Sequence, residues 1–129
     1  MSKQSLPQMA EGIAAPLGAI ASPQRIALLL AIGNSEACVC HLEAALGWRQ
    51  AYISQHLMAL RKANVLTDRR KGRYVFYRLR DPSLLDILLG FARLSGLPAE
   101  SISALINIQV NPSCECPQCA PVVIPATHL

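Results

Sequence analysis

The chain has 129 residues, 52% of them apolar, and a formal net charge of +4 with its histidines neutral. That length accommodates one domain with a modest core and excludes a large multidomain enzyme. The high apolar share implies surface buried against a partner, and no apolar run approaches the roughly 20 residues that span a bilayer. The start of the chain lacks the charged-then-apolar layout of a secretory signal, so a cytoplasmic protein without membrane contact is expected. In that reducing compartment five cysteines read as ligands or redox sensors rather than disulfide staples.

In chain order, residues 1–8 are expected to form a flexible start. A first helix is expected over residues 9–20, interrupted or kinked near Pro16. Ser22 and Pro23 supply an N-cap and a first-turn proline for an apolar helix over residues 24–32, which Gly33 and Asn34 close. Residues 35–37 lead into a short helix over residues 39–46, ended by Gly47. A helix over residues 49–64 follows after a tight turn, the spacing of a helix-turn-helix. In it Ile53, Leu57 and Leu60 recur at helical intervals, leaving Arg49, Gln50, Tyr52, Gln55 and Arg61 more exposed.

Two β-prone runs come next, residues 65–69 and 73–79, closed by a turn at Lys71 and Gly72. In the second run Tyr74 and Phe76 share one face, Val75 and Tyr77 the other. Asp81 and Pro82 start a further helix, and residues 84–94 are apolar almost all round, as in a helix buried in a dimer interface. An amphipathic helix is expected over residues 98–108. From Asn111 the composition shifts to proline, cysteine and valine, as in an irregular tail. The expected organisation is a flexible start (1–8), a DNA-binding and dimerisation domain (9–110) and a cysteine-containing tail (111–129). The fold class is mainly α with a small β-hairpin wing, a dimeric winged helix-turn-helix.

The charge distribution points to a partner. Eight of the 12 basic residues lie between Arg61 and Arg80, against the single acid Asp68. Arg69, Arg70, Lys71 and Arg73 crowd the hairpin turn. A polar-faced helix followed directly by a basic hairpin is the layout of a groove reader with a backbone clamp. No acid–base pair or nucleophile constellation marks an enzyme.

The segment SPQRIALLLAI, the run CVCHLE, the SQHL helix and the wing RRKGRYVFYRL together resemble the ArsR/SmtB family of metal-responsive repressors, over roughly residues 20–94. The resemblance implies a symmetric homodimer with its first and last helices at the interface. It also implies binding to double-stranded operator DNA and release when an inducer binds. On this reading Arg49, Gln50, Tyr52, Ser54, Gln55 and His56 match recognition-helix positions. Gln and Arg make bidentate contacts to adenine and guanine edges, while Ser54 and Tyr52 suit phosphates. His56 is open to both DNA contact and packing. Arg69, Arg70, Lys71 and Arg73 match the wing positions that grip the backbone.

Cys38 and Cys40 resemble the family's Cys-x-Cys segment, where two thiolates grip a soft ion such as As(III), Cd(II), Pb(II), Zn(II) or Hg(II). Arsenic sensors of the family often carry a third cysteine where this chain has Glu43. The zinc-type ligands of the last helix are also missing, with no histidine between Asp81 and Leu97. The tail supplies a Cys-x-Cys-x2-Cys cluster, Cys114, Cys116 and Cys119. Helix and tail thiols converge on one ion, or the tail holds a separate three-thiolate centre. His41 and Glu43 are borderline additional ligands, and His128 carries no assigned role. Two other functions stay open at this point: a thiol redox or persulfide sensor of the same fold, and a metal-buffering or metal-delivery protein. A carrier, however, needs no phosphate clamp.

Overall fold

A computed structural model describes residues 5–106. Its elements run α1 (Leu6–Ile20), α2 (Pro23–Ile32), β1 (Ala37–Cys38), α3 (Val39–Leu46), α4 (Gln50–Lys62), β2 (Leu66–Lys71), β3 (Tyr74–Leu79), α5 (Ser83–Leu94) and α6 (Ala99–Ile106). The sheet is antiparallel in the order β1-β3-β2. The result is the mainly helical winged fold expected from the sequence, with one more strand than the hairpin alone supplies.

Helix α1 starts earlier than the apolar pattern suggests, because Ser5 and Gln8 form a capping box. The Ser5 hydroxyl accepts from the Gln8 amide at 3.3 Å, and the Gln8 side chain accepts from the Ser5 amide at 2.9 Å. Two otherwise orphaned amide donors are thereby satisfied. The expected interruption at Pro16 does not occur, and α1 continues through it to Ile20. Ser22 caps α2 as its sequence implies, its hydroxyl accepting from the Arg25 amide at 3.2 Å. Gly33 ends α2 at φ +61°, a conformation open to glycine without a Cβ penalty.

The core lies between α2, α3, α4 and the sheet. Leu28, Leu29, Leu42, Ile53, Leu57 and Leu60 are fully buried in it, with Leu66 and Leu79 contributed by the hairpin. The apolar stripe of α4 is therefore the one its spacing indicates. The hairpin turn sits one residue later than expected, at Gly72 and Arg73, with Lys71 paired to Tyr74. Gly72 takes φ +63°, as the first central position of a type II′ turn requires, so the glycine sets the register.

Helix α5 buries Leu85, Leu88 and Ala92 but leaves Ile87, Phe91 and Leu94 exposed. Its all-round apolar composition thus divides into a core face and an uncovered face. Helix α1 is more extreme: Leu6, Met9, Ile13 and Leu17 are all exposed, and Ile20 is its buried residue.

Candidate nucleic-acid interface and thiol pair

Helices α3 and α4 form the helix-turn-helix. Gly47 ends α3 in the left-handed region at φ +72°, its amide donating to the Glu43 carbonyl at 2.7 Å, and this tight exit turns the chain into α4. With Ile53, Leu57 and Leu60 fixed in the core, the opposite side of α4 carries Arg49, Gln50, Tyr52 and Gln55 exposed and Ser54 half-buried. Along this side Trp48, Tyr52 and His56 stack edge to face, with centroids 5.6 Å and 4.8 Å apart. Such edge contacts favour one orientation of each ring.

His56 is half-buried, and its Nδ1 accepts from Arg25 Nε at 3.2 Å. Burial first, then the Arg25 charge, lowers its pKa from the ordinary imidazole value. Of the two sequence-level readings for His56, this contact is a packing one, on the α2 side of the recognition helix.

The four wing cations are exposed, but register divides them. Arg69 pairs across the ladder with Phe76 and Lys71 with Tyr74, so these side chains share the sheet face that carries Cys38, itself opposite Phe76. Arg70 projects from the other face, beside Val75. Arg69 is engaged within the protein. Its Nε donates to both Glu36 carboxylate oxygens, at 2.9 and 2.8 Å, and its Nη2 also donates to Glu36 Oε1. Its guanidinium lies 4.9 Å from the Phe76 ring centroid. The hydrogen bond from Arg69, opposed by burial and aided by nearby cations, holds the Glu36 carboxyl below the usual carboxylate range. Arg73 lies over Tyr74 at 5.9 Å.

Cys38 and Cys40 flank the start of α3. Cys38 is buried, at 2% exposure, and Cys40 is half-buried; neither forms a disulfide. Cys38 plays two roles at once. Its sulfur accepts from the His41 amide at 3.4 Å as the N-cap of α3, and its backbone pairs with Phe76 in the sheet. Cys40 and Tyr74 pack against the same Cys38–Phe76 cluster. The thiol pair is thus continuous, through Phe76, with the wing cation Arg69.

As a metal site the pair is incomplete by itself. Among the described residues no group of three or more His, Cys, Asp or Glu side chains is placed to hold an ion. His41 is buried, and neither it nor Glu43 joins the thiols as a third donor. The donor chemistry suits a soft ion, but the donor count calls for more sulfur. Cys114, Cys116 and Cys119 lie outside the described residues.

Sequence reasoning missed Glu36 and Arg25. Their partners Arg69 and His56 lie 33 and 31 residues away, beyond any local pattern. Among the described residues no single helix is long and apolar enough to cross a membrane.

Residues 22–68 match the bacterial regulatory protein, arsR family. An arsenic resistance transcriptional regulator of Pseudomonas putida is 48% identical over 67 residues, covering 50% of this chain and 52% of that protein. A biofilm growth-associated repressor of Agrobacterium fabrum is 30% identical over 98 residues, covering 76% of this chain and 84% of that one. The crystal structure of NolR from Sinorhizobium fredii superposes with a TM-score of 0.62 at 29% identity, covering 76% of this chain and all of that one. The chain spans about half the length of several curated relatives that it matches, 54% and 52% for two of them. The chain therefore belongs to the ArsR family of bacterial regulatory proteins.

Proposed function

We propose that this protein is a homodimeric transcriptional repressor that binds double-stranded operator DNA and is released when a thiophilic metal or metalloid ion binds cysteine thiolates. One observation carries the reading: the buried Cys38 is at once the cap of the helix leading into α4 and the strand partner of the wing residue Phe76. A soft ion supplies bonds to sulfur that outcompete weak sulfur hydrogen bonds. The other steps belong to the protein. Arg49, Gln50 and Gln55 face the groove from α4, and Arg70, Lys71 and Arg73 reach the phosphates from the wing. Cys38 and Cys40 would hold the ion, brought to three or four thiolates by one or two of Cys114, Cys116 and Cys119. Engaging the Cys38 sulfur withdraws the acceptor of the His41 amide and disturbs the side chain facing Phe76. The start of α3 and the wing feel the change together, and the dimer no longer presents both recognition helices to successive grooves.

The relatives' names accord with this: one is an arsenic resistance regulator and another a repressor named SmtB. The test is a titration of the reduced full chain, bound to DNA selected from a random pool, with As(III), Cd(II), Pb(II) and Zn(II) in turn. Sequence-selective, salt-dependent binding that at least one ion reverses is expected. Binding that only oxidants reverse shifts the trigger to thiol redox chemistry, and failure to select any DNA removes the repressor reading.

A further inference from the structure

One side chain ties together three helices around the recognition element. Arg25, in the first turn of α2, donates from Nη1 to the Ala19 carbonyl at 2.8 Å. That carbonyl belongs to the last turn of α1, whose acceptors have no partner within the helix, so the guanidinium caps α1. The same group donates from Nε to His56 Nδ1 on α4 at 3.2 Å. The Arg25 backbone amide is held in turn by Ser22. From His56 the contact continues along α4 through Tyr52 to Trp48, ring edge to ring face. Arg25 therefore bridges the end of α1, the start of α2 and the middle of the helix whose outer face carries Gln50 and Gln55.

The chemistry of this bridge is one-sided. An arginine has donors and no acceptor, so His56 Nδ1 must present a lone pair, with the imidazole proton on Nε2. A protonated imidazole has no lone pair to offer and would set a second cation against the guanidinium. The charged group that bears on His56 is Arg25, on α2. Its own helix places Tyr52 beside it, and α1 carries no ionisable side chain after Glu11. Burial and Arg25 are what bear on the ring; the ionisable residues of α3 (Cys40, His41 and Glu43) and of β2 (Asp68, Arg69, Arg70 and Lys71) are not among them. Among the described residues, the charge that bears on the ring is a cation, which opposes a second positive charge there.

We propose that Arg25 and His56 are positioning residues that hold α4 in its DNA-reading orientation, and that this hold exists only while the His56 imidazole is neutral. Operator affinity then falls on acidification through loss of one hydrogen bond, independently of any metal. The inference rests on the DNA-binding reading. The direction agrees with the environment of the ring: burial and Arg25 favour the neutral form, so the hold is complete above the ordinary imidazole value of about 6.5 and lost as pH falls below it.

The decisive variant is His56→Asn, whose Oδ1 stands where Nδ1 does, accepts the same hydrogen bond and does not titrate. Operator binding of the full-length, metal-free protein is measured by fluorescence anisotropy between about pH 7.5 and about pH 5.5. Wild type is expected to lose at least about threefold more affinity than His56→Asn across this range, within the roughly tenfold ceiling that one proton binding below about pH 6.5 sets at the acid end. At the higher pH, His56→Asn should bind about as well as wild type, with His56→Ala and Arg25→Ala about tenfold weaker. Circular dichroism at both pH values reports whether each variant is folded. If Arg25→Ala is unfolded, the comparison of wild type with His56→Asn still decides. Parallel pH profiles for those two proteins overturn the inference while leaving DNA binding intact. Absence of DNA binding by wild type at the higher pH overturns the repressor reading and the inference with it.

Discussion

Arg69 and Arg70 are adjacent in the chain, yet they are committed to different partners. Glu36 and the Phe76 ring occupy the Arg69 guanidinium, whereas Arg70 lies on the opposite face of the wing. Neutralising a phosphate releases roughly one counterion, so Arg70→Ala and Arg73→Ala should each flatten the salt dependence of DNA binding by about one unit of slope. Arg69→Ala should change the slope less, because its charge is already balanced; equal slopes for all three variants would show that Glu36 lets go on DNA. Glu36 adds a pH signature. Its carboxyl is held below the usual range by Arg69, so its contribution to stability is full above its unfolded value and lost as pH falls through its folded one. Glu36→Gln should therefore lower thermal stability at neutral pH, by roughly the modest amount of a partly exposed pair, and the difference from wild type should shrink as the medium is acidified. For base reading, Gln50→Ala should relax preference at one operator position by about 1–3 kcal/mol, measured across a panel of single-base variants. A uniform loss over all sequences would assign Gln50 to the phosphates.

The secondary elements were readable wherever a physical signal repeats or a cap is local. Ile53, Leu57 and Leu60 mark α4 by their spacing, and Ser22-Pro23 and Gly33 bracket α2 by capping chemistry. The capping box at Ser5 and Gln8 is an equally local signal, lying just ahead of the apolar pattern that starts at Met9. Strand β1 is a different case. Its two residues are too short for any period, and it exists because β3 offers Ala37 and Cys38 a partner edge. That edge is also why the cysteine pair touches the wing, a link invisible from the spacing of Cys38 and Cys40. Pairs such as Arg25–His56 were hidden for a related reason: folding, not sequence proximity, brings them together. The reading of α4 as core-anchored has a direct consequence for stability. Leu57 is fully buried, so Leu57→Ala should cost about 2–5 kcal/mol in denaturant unfolding. A cost under about 1 kcal/mol would mean that α4 is far less tightly packed than its burial implies.

At the scale of the molecule, two apolar faces stand uncovered among the described residues. Helix α1 exposes Met9, Ile13 and Leu17, and α5 exposes Ile87, Phe91 and Leu94, more than scattered surface residues require. They account for the high apolar content if a second copy covers them, as a twofold reader of paired half-sites needs. Ile13→Glu and Phe91→Glu should each shift the protein to monomer in sedimentation velocity and weaken operator binding. A variant that stays dimeric would exempt its helix from the interface. In the proposed mechanism the thiol signal has to reach both recognition helices of a dimer at once. The most direct test of that signal compares wild type with the Cys38→Ser, Cys40→Ser double variant, following operator binding by anisotropy while the inducing ion is added. Serine keeps the size of the side chain and loses the thiolate that soft ions require. The double variant is expected to bind the operator about as tightly as wild type, within roughly threefold, and to stay bound when the ion is added. Release of the double variant at the ion concentration that releases wild type would remove Cys38 and Cys40 as the sensor.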